Sequence, residues 1–115
     1  MVAKAEDVAG VKVLVAVLEG MDAKSLRTTM DDLKNKLGSA VILLAVAGDK
    51  IQFCAGVTKD LTGRIKAGEL VNAAAAVAGG KGGGKPDMAM AGAADVAKLA
   101  DAMKAARTFI GEKLA

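Results

Sequence analysis

Five of the six residues in the range 79–84 are glycine, and a Pro-Asp pair at 86–87 ends this glycine run. Glycine lacks a Cβ, so the segment adopts backbone angles closed to other residues and lets a partner come close. Consecutive exposed N–H groups in such a loop form a concave site for anions. Lys81 and Lys85 add two positive charges at the same place. The run therefore predicts a flexible loop that binds phosphate or a nucleic-acid backbone.

The run is close to a nucleotide-binding P-loop but departs from it at one position. Gly79, Gly84 and Lys85 fit that motif, whereas Pro86 stands where a Ser or Thr hydroxyl would hold Mg²⁺. A P-loop also follows a strand and opens a helix, while here a predicted helix precedes the glycines and a predicted strand follows them. No G-x-G-x-x-G dinucleotide motif fits the run. A small nucleotide-binding or phosphoester-handling domain stays an alternative, as does a flexible linker.

The composition excludes several classes of enzyme. The chain has no histidine and one cysteine, which excludes Ser-His-Asp and Cys-His nucleophiles, histidine-ligated zinc and an internal disulfide. The acidic residues show no catalytic grouping, because the adjacent pair Asp31-Asp32 points in two directions on a helix. Phe53 and Phe109 are the only aromatic residues, and both fit core positions, which leaves almost no platform for stacking bases. We expect no independent catalysis, no cofactor and no metal site.

The net charge of +3 is concentrated in one segment. Residues 59–85 hold five basic and two acidic side chains, while the rest of the chain is neutral. This pattern is typical of a local site for an anionic partner. With so few aromatic residues, a folded RNA recognised by its shape and backbone is the favoured ligand. The candidate RNA-binding residues are Lys59, Arg64, Lys66, Gly79, Gly80, Lys81, Gly82, Gly83, Gly84 and Lys85.

Length and hydropathy indicate one globular domain with a cytoplasmic location. The chain has 115 residues, of which 53% are hydrophobic. Its longest apolar run, 40–47, is far shorter than a membrane span. Glu6 and Asp7 stand where a signal peptide would be apolar. A single cysteine is typical of a cytosolic protein.

Hydrophobic periodicity predicts a single α/β domain in which three helices pack on a mixed sheet of about four strands. The order is β-α-β-β-α-β-α, and the second and third strands form an antiparallel hairpin. Asp22 and Gly38 bound the first helix, and Asp95 caps the last one. The predicted strands cover 11–18, 40–47, 51–57 and 88–91, and a turn covers 19–20. The predicted helices lie within 22–38, 66–78 and 95–110. The predicted core includes Met30, Phe53, Cys54, Met103 and Phe109. Residues 1–10 are expected to be a tail or the remnant of a preceding helix, and residues 11–115 the domain.

Several sequence runs resemble a known family. Residues 31–38 read DDLKNKLG, residues 55–61 read AGVTKDL and residues 66–71 read KAGELV. With the glycine run and its continuation to residue 92, they resemble the C-terminal, DHHA1-type (C-Ala) domain of bacterial alanyl-tRNA synthetase. The resemblance covers nearly the whole chain from about Val11. Domains of this type also accompany DHH phosphoesterases, which typically carry a histidine where this chain has Lys85.

The resemblance implies a DHHA1-like fold and a non-catalytic tRNA-binding module of a ligase. Such a module binds the outer corner of tRNA, where the D- and T-loops meet, so that the aminoacylation and editing domains act together. Its implied partners are tRNA-Ala and those two domains. Because phosphate contacts carry no sequence information, we expect weak discrimination among tRNAs by the isolated domain. The alternatives are the nucleic-acid-binding domain of a DHH-type phosphoesterase and an oligomerisation module that forms a homodimer.

Overall fold

Residues 6–8, 10–18, 20 and 22–114, which the computed structural model describes, form a six-stranded mixed sheet that carries three helices. The strand order is β1-β2-β3-β4-β6-β5, and only the β2–β3 pair among these described strands is parallel. The strands are β1 Glu6–Val8, β2 Val11–Leu18, β3 Ala40–Ala47, β4 Ile51–Val57, β5 Lys81–Gly84 and β6 Met88–Ala93, and the helices are α1 Ala23–Leu37, α2 Ala67–Val77 and α3 Leu99–Leu114.

The central elements have the predicted bounds. β2, β3 and β4 cover the predicted ranges, and the antiparallel β3–β4 hairpin is confirmed. At the start of α1, the Asp22 carboxylate accepts a hydrogen bond from the Ser25 backbone N–H at 2.8 Å. This interaction lowers the pKa of that carboxyl group below its ordinary value. The helix ends at Gly38, whose φ of 78° suits glycine.

The prediction of four strands is wrong, because β1 and β5 were missed. Residues 6–8, expected to belong to a tail or helix remnant, pair antiparallel with β2. Three residues are too few to show a period of two. Residues 1–5 and 9 of that expected tail, and residue 19 of the predicted turn, lie outside the described residues. β5 is formed by the glycine run itself, which has no side chains that favour a strand.

The last two elements also differ in extent from the prediction. β6 continues to Ala93, two residues beyond its predicted end. α3 begins at Leu99, after a short 3-10 turn at Val96–Lys98, and the Asp95 side chain makes no capping hydrogen bond. The α3 residues that face the sheet are nevertheless those with the predicted spacing, with Met103, Ala106 and Ile110 buried.

The two faces of the sheet carry separate apolar layers, because strand side chains alternate between faces. α2 and α3 pack over one face, which includes Leu43 and Phe53. α1 packs over the other, which includes Leu44 and Cys54. Burial raises the pKa of the Cys54 thiol to about 11, so the thiol stays protonated at neutral pH and serves as a packing group. Among the described helices, none is long and apolar enough to cross a membrane.

α1 covers only part of its face. It packs against β3 and β4, and no helix lies over β5 and β6 on this side of the sheet within the described chain. Met88 and Met90 of β6 are therefore only half-buried there, at the edge of the α1 layer. This open part of the sheet lies beside the glycine strand.

Met30→Ala tests the packing of α1. The Met30 side chain is fully buried, and its removal should lower the free energy of unfolding by about 2–4 kcal/mol because it leaves a cavity. Urea-induced unfolding followed by circular dichroism measures the change. Asp32→Ala, at an exposed position of the same helix, should change it by less than about 0.5 kcal/mol. Equal unfolding midpoints for the two variants would contradict the observed packing.

Candidate nucleic-acid interface

The glycine run is an edge strand rather than a loop. β5 runs antiparallel to β6, with Lys81 opposite Gly92 and Gly84 opposite Ala89. Just beyond β5, the Lys85 N–H donates to the Met88 carbonyl at 3.0 Å. Because amides alternate in direction along an antiparallel strand, the N–H groups of Lys81 and Gly83 also face β6.

Most of the other backbone N–H groups of the run donate hydrogen bonds to α2. The Gly80 N–H donates to the Ala75 carbonyl at 2.8 Å, and the Gly82 N–H donates to Asn72 Oδ1 at 3.4 Å. Four of the five amides at residues 80–84, those of Gly80, Lys81, Gly82 and Gly83, therefore have partners in β6 or α2, contrary to the predicted cradle of free amides. Freeing these four N–H groups for a ligand would cost the domain their present hydrogen bonds.

Packing explains three of the five glycines. An added Cβ at Gly80 or Gly82 would overlap β6, 2.6 Å from the Cα of Ala93 or Ala91, respectively. At Gly84 it would lie 2.9 Å from a Cα of β6. All three positions point toward the face that carries α2. Gly79 has a φ of 77° just beyond α2, which also favours glycine.

Gly83 differs from its neighbours, because an added Cβ there meets nothing within 4 Å. By strand alternation it shares the face of α1 with Lys81 and Lys85. Its backbone lines a groove of about 650 Å³ between α1 and the β5–β6 edge, which we call the α1–β5 groove. The groove is lined by Arg27, Asp31, Lys34, Gly83, Gly84, Lys85, Asp87, Met88, Ala89 and Met90.

Two cations of α1 in this groove were missed by the sequence reasoning. Arg27 Nε lies 3.0 Å from Met90 Sδ, and Lys34 Nζ donates to the Asp87 carbonyl at 3.1 Å, so both side chains reach toward β6. Residues 27, 31 and 34 follow helical spacing along one flank of the apolar stripe. That spacing is visible in the sequence, but which flank faces the open strands depends on how α1 sits on the sheet.

The structure brings together some of the predicted basic residues and separates others. Lys85 lines the α1–β5 groove, and Lys59 lines an adjoining hollow with Asp31 and Lys34. Lys81 is exposed at the far end of β5 from Lys85.

Lys66 and Arg64 lie apart from the groove. Lys66 precedes α2 and lines a small cavity with Gly83, Gly84 and Pro86. Arg64 lies elsewhere, because its guanidinium donates to the Leu114 carbonyl at 2.7 Å, at the end of α3. That position suits a cation at a helix C-terminus, so Arg64 has a structural role.

The charged groups of the groove are available to a ligand. Among the described residues, ion pairs form between Lys12 and Asp7 and between Arg107 and Glu6, away from this groove. Arg27, Lys34 and Lys85 therefore keep their charges unpaired around one concavity. No group of His, Cys, Asp or Glu side chains in the described chain is arranged to hold a metal ion. The arrangement suits a polyanion that contacts several cations at once.

Comparison with protein families identifies the class. The model of the DHHA1 domain matches residues 10–112, so the chain belongs to the DHHA1 domain family. The predicted similarity to the C-terminal domain of bacterial alanyl-tRNA synthetase is confirmed. The chain is 59% identical over 115 residues to an alanine–tRNA ligase of Albidiferax ferrireducens and 60% identical over 112 residues to that of Acidovorax sp. strain JS42. These matches cover 99% and 96% of this chain but 13% of each relative.

Solved structures show the same fold. The C-Ala domain of Aquifex aeolicus alanyl-tRNA synthetase is 30% identical, with a TM-score of 0.82 over 96% of this chain and 97% of that one. A DHH-domain protein described as a member of a family of ribosomal proteins has a TM-score of 0.65 at 14% identity, over 95% of this chain and 28% of its own. The second likeness shows the fold alone. The predicted α/β, DHHA1-like architecture is confirmed, with six strands in place of four.

Alanine substitutions at two neighbouring glycines should distinguish a position packed against β6 from a position open to the groove. Gly82→Ala should lower the free energy of unfolding by about 1–3 kcal/mol, because the new methyl group overlaps β6. Gly83→Ala should change it by less than about 0.5 kcal/mol, because the position is open. Urea unfolding of both variants measures the difference. Similar losses at the two sites would contradict the described register of β5.

Proposed function

We propose that this chain is a non-catalytic tRNA-binding domain of an alanine–tRNA ligase, and that it binds tRNA along the α1–β5 groove. The observation that carries the proposal is the convergence of three unpaired cations, Arg27, Lys34 and Lys85, on an open part of the sheet. The family and the ligase relatives support tRNA as the polyanion. The proposal also includes that the chain is part of a longer alanine–tRNA ligase, and that this ligase has the aminoacylation and editing activities.

The basic surface extends beyond the groove in both directions. Lys59 continues it past Lys34, and Lys81 continues it along β5. At about 3.3 Å per strand residue, Lys81 and Lys85 are about 13 Å apart along the chain. This length favours contact with a stretch of RNA backbone rather than with a single phosphate. Lys66 lies at the strand edge and adds charge beside Gly83 and Gly84.

The chemistry of the groove favours folded RNA over single-stranded RNA. Its lining includes no aromatic side chain on which an unpaired base would stack. Cations and exposed backbone instead contact phosphate and ribose, which position a nucleic acid without reading its sequence. The resemblance to the alanyl-tRNA synthetase domain adds the tRNA corner formed by the D- and T-loops as the ligand surface, and contacts to phosphate and ribose imply weak discrimination among tRNAs. Bound there, the domain would hold tRNA for the aminoacylation and editing domains of a cytoplasmic ligase. Homodimer formation stays a prediction that this function does not require.

Charge removal should change both the affinity and its salt dependence. Lys85→Ala and Arg27→Ala should each weaken tRNA binding. Each should also make the negative slope of log K against log salt shallower by about 0.7–0.9, because each removes about one phosphate contact. Fluorescence anisotropy with labelled tRNA across a salt series measures both quantities. Lys104→Ala, an exposed position on α3 at the other face, is the matched control. A parent slope of roughly −3.5 to −4.5 is expected if the five cations of the groove and its extensions, Arg27, Lys34, Lys59, Lys81 and Lys85, contact phosphate. Identical slopes for Lys85→Ala and Lys104→Ala would overturn the groove as the site.

Altered RNA ligands test the shape of the target. We expect intact tRNA to bind most tightly, a tRNA without its D-arm more weakly, and single-stranded RNA most weakly. The reason is that removal of the D-arm destroys the folded corner but leaves most phosphates in place. Equal affinity for the first two would overturn recognition of the corner while leaving RNA binding intact.

A further inference from the structure

Two acidic residues, Asp31 and Asp87, line the basic groove, and Asp87 accepts a hydrogen bond there through its backbone carbonyl from Lys34. Asp31 lines the α1–β5 groove and also the adjoining hollow beside Lys59. It stands four residues after Arg27 and three before Lys34 on the same flank of α1. A surface that bound only phosphates would bind them more weakly with a negative charge at this position.

Neither neighbouring cation pairs with Asp31. Helical spacing would let Arg27 or Lys34 reach it. The Arg27 guanidinium instead lies 3.0 Å from Met90 Sδ, and the Lys34 ammonium donates to the Asp87 carbonyl at 3.1 Å. The ion pairs of the described chain lie elsewhere, at Asp7 and Glu6. The Asp31 side chain is exposed and free to accept a hydrogen bond.

The chemistry of a carboxylate defines what it accepts. An ionised carboxylate accepts hydrogen bonds and cannot donate them. A phosphate about 6 Å away is repelled through water by an amount equivalent to about a threefold loss of affinity. RNA also presents neutral donors, which are the ribose 2′-hydroxyl and the amino groups of the bases. A carboxylate among cations therefore favours a ligand that has a neutral donor between its phosphates.

We infer that Asp31 is a specificity residue that accepts a hydrogen bond from a neutral donor of the bound RNA, while Arg27, Lys34 and Lys85 neutralise phosphates. This inference rests on the proposed function and assigns a role to one more residue of the same site. The groove would then select RNA over other polyanions, because a ligand without a donor at Asp31 meets only the repulsion. The donor is either a ribose 2′-hydroxyl or a base amino group.

Two matched variants test the inference. Asp31→Asn and Asp32→Asn remove the same charge from adjacent exposed positions of α1, but only Asp31 lines the groove. Asp31→Asn should weaken tRNA binding by about five- to tenfold, because a charge-assisted hydrogen bond becomes a neutral one. Asp32→Asn should stay within about twofold of the parent. Anisotropy titration with labelled tRNA measures all three affinities.

A tRNA of the same sequence made entirely of 2′-deoxynucleotides identifies the donor. The parent should prefer the ribose form. If Asp31→Asn also loses that preference, the donor is the 2′-hydroxyl. If binding weakens but the preference persists, the donor is a base amino group. Both results support the inference.

Other outcomes are equally informative. Asp31→Asn binding tRNA as tightly as the parent, or more tightly, would overturn the role of Asp31 and leave the proposed function standing. Failure of the parent chain to bind tRNA would overturn the proposed function and this inference together.

Discussion

The packing of α1 against β4 determines where the charged groups of this domain lie. Met30 is fully buried, and its Sδ occupies the space that a Cβ on Gly56 would need. Because glycine stands at that position, the helix sits directly on the strand. The flank of α1 next to its buried stripe then faces β6. Arg27 and Lys34 reach Met90 and the Asp87 carbonyl from that flank.

The same sheet edge depends on close backbone contact on its other face. Gly80, Gly82 and Gly84 let β5 approach the alanines of β6 without side chains between them. Gly68 of α2 lies beside Gly84, where an added Cβ would be 3.3 Å from the Gly84 carbonyl oxygen. α2 therefore covers an edge strand that would otherwise be open to pairing with another chain. The glycine run is a structural edge whose open position, Gly83, faces the groove.

These two packing arrangements together produce an asymmetric surface. One face of the β5–β6 edge is filled by α2, and the other is left open beside the cations of α1. Rigid elements hold the charges on both sides of the groove, which reduces the entropy lost when a ligand binds. Asp31 lies among these cations, so the groove differs from a uniformly basic surface. Such a mixture of charges favours a ligand with both phosphates and hydrogen-bond donors.

The sequence predicted most of the fold but only part of the site. Local patterns located β2, β3, β4 and α1, because alternation, apolar stripes and a capping residue act within a few positions. Lys85 was recognised for its charge beside the glycines. The predicted amide cradle is not present as expected, because most of those amides have partners in β6 and α2. Arg64 was grouped with the site by its position in the chain, although it contacts the end of α3.

By itself, the sequence determined the family, the central strands and the buried residues, since each depends on the order of neighbouring residues. Only the tertiary structure decided that the glycines form a strand and that Arg27, Asp31 and Lys34 face it. A strand edge exists only when its partner is in place, and the side of a helix that meets a ligand depends on what the rest of that helix covers.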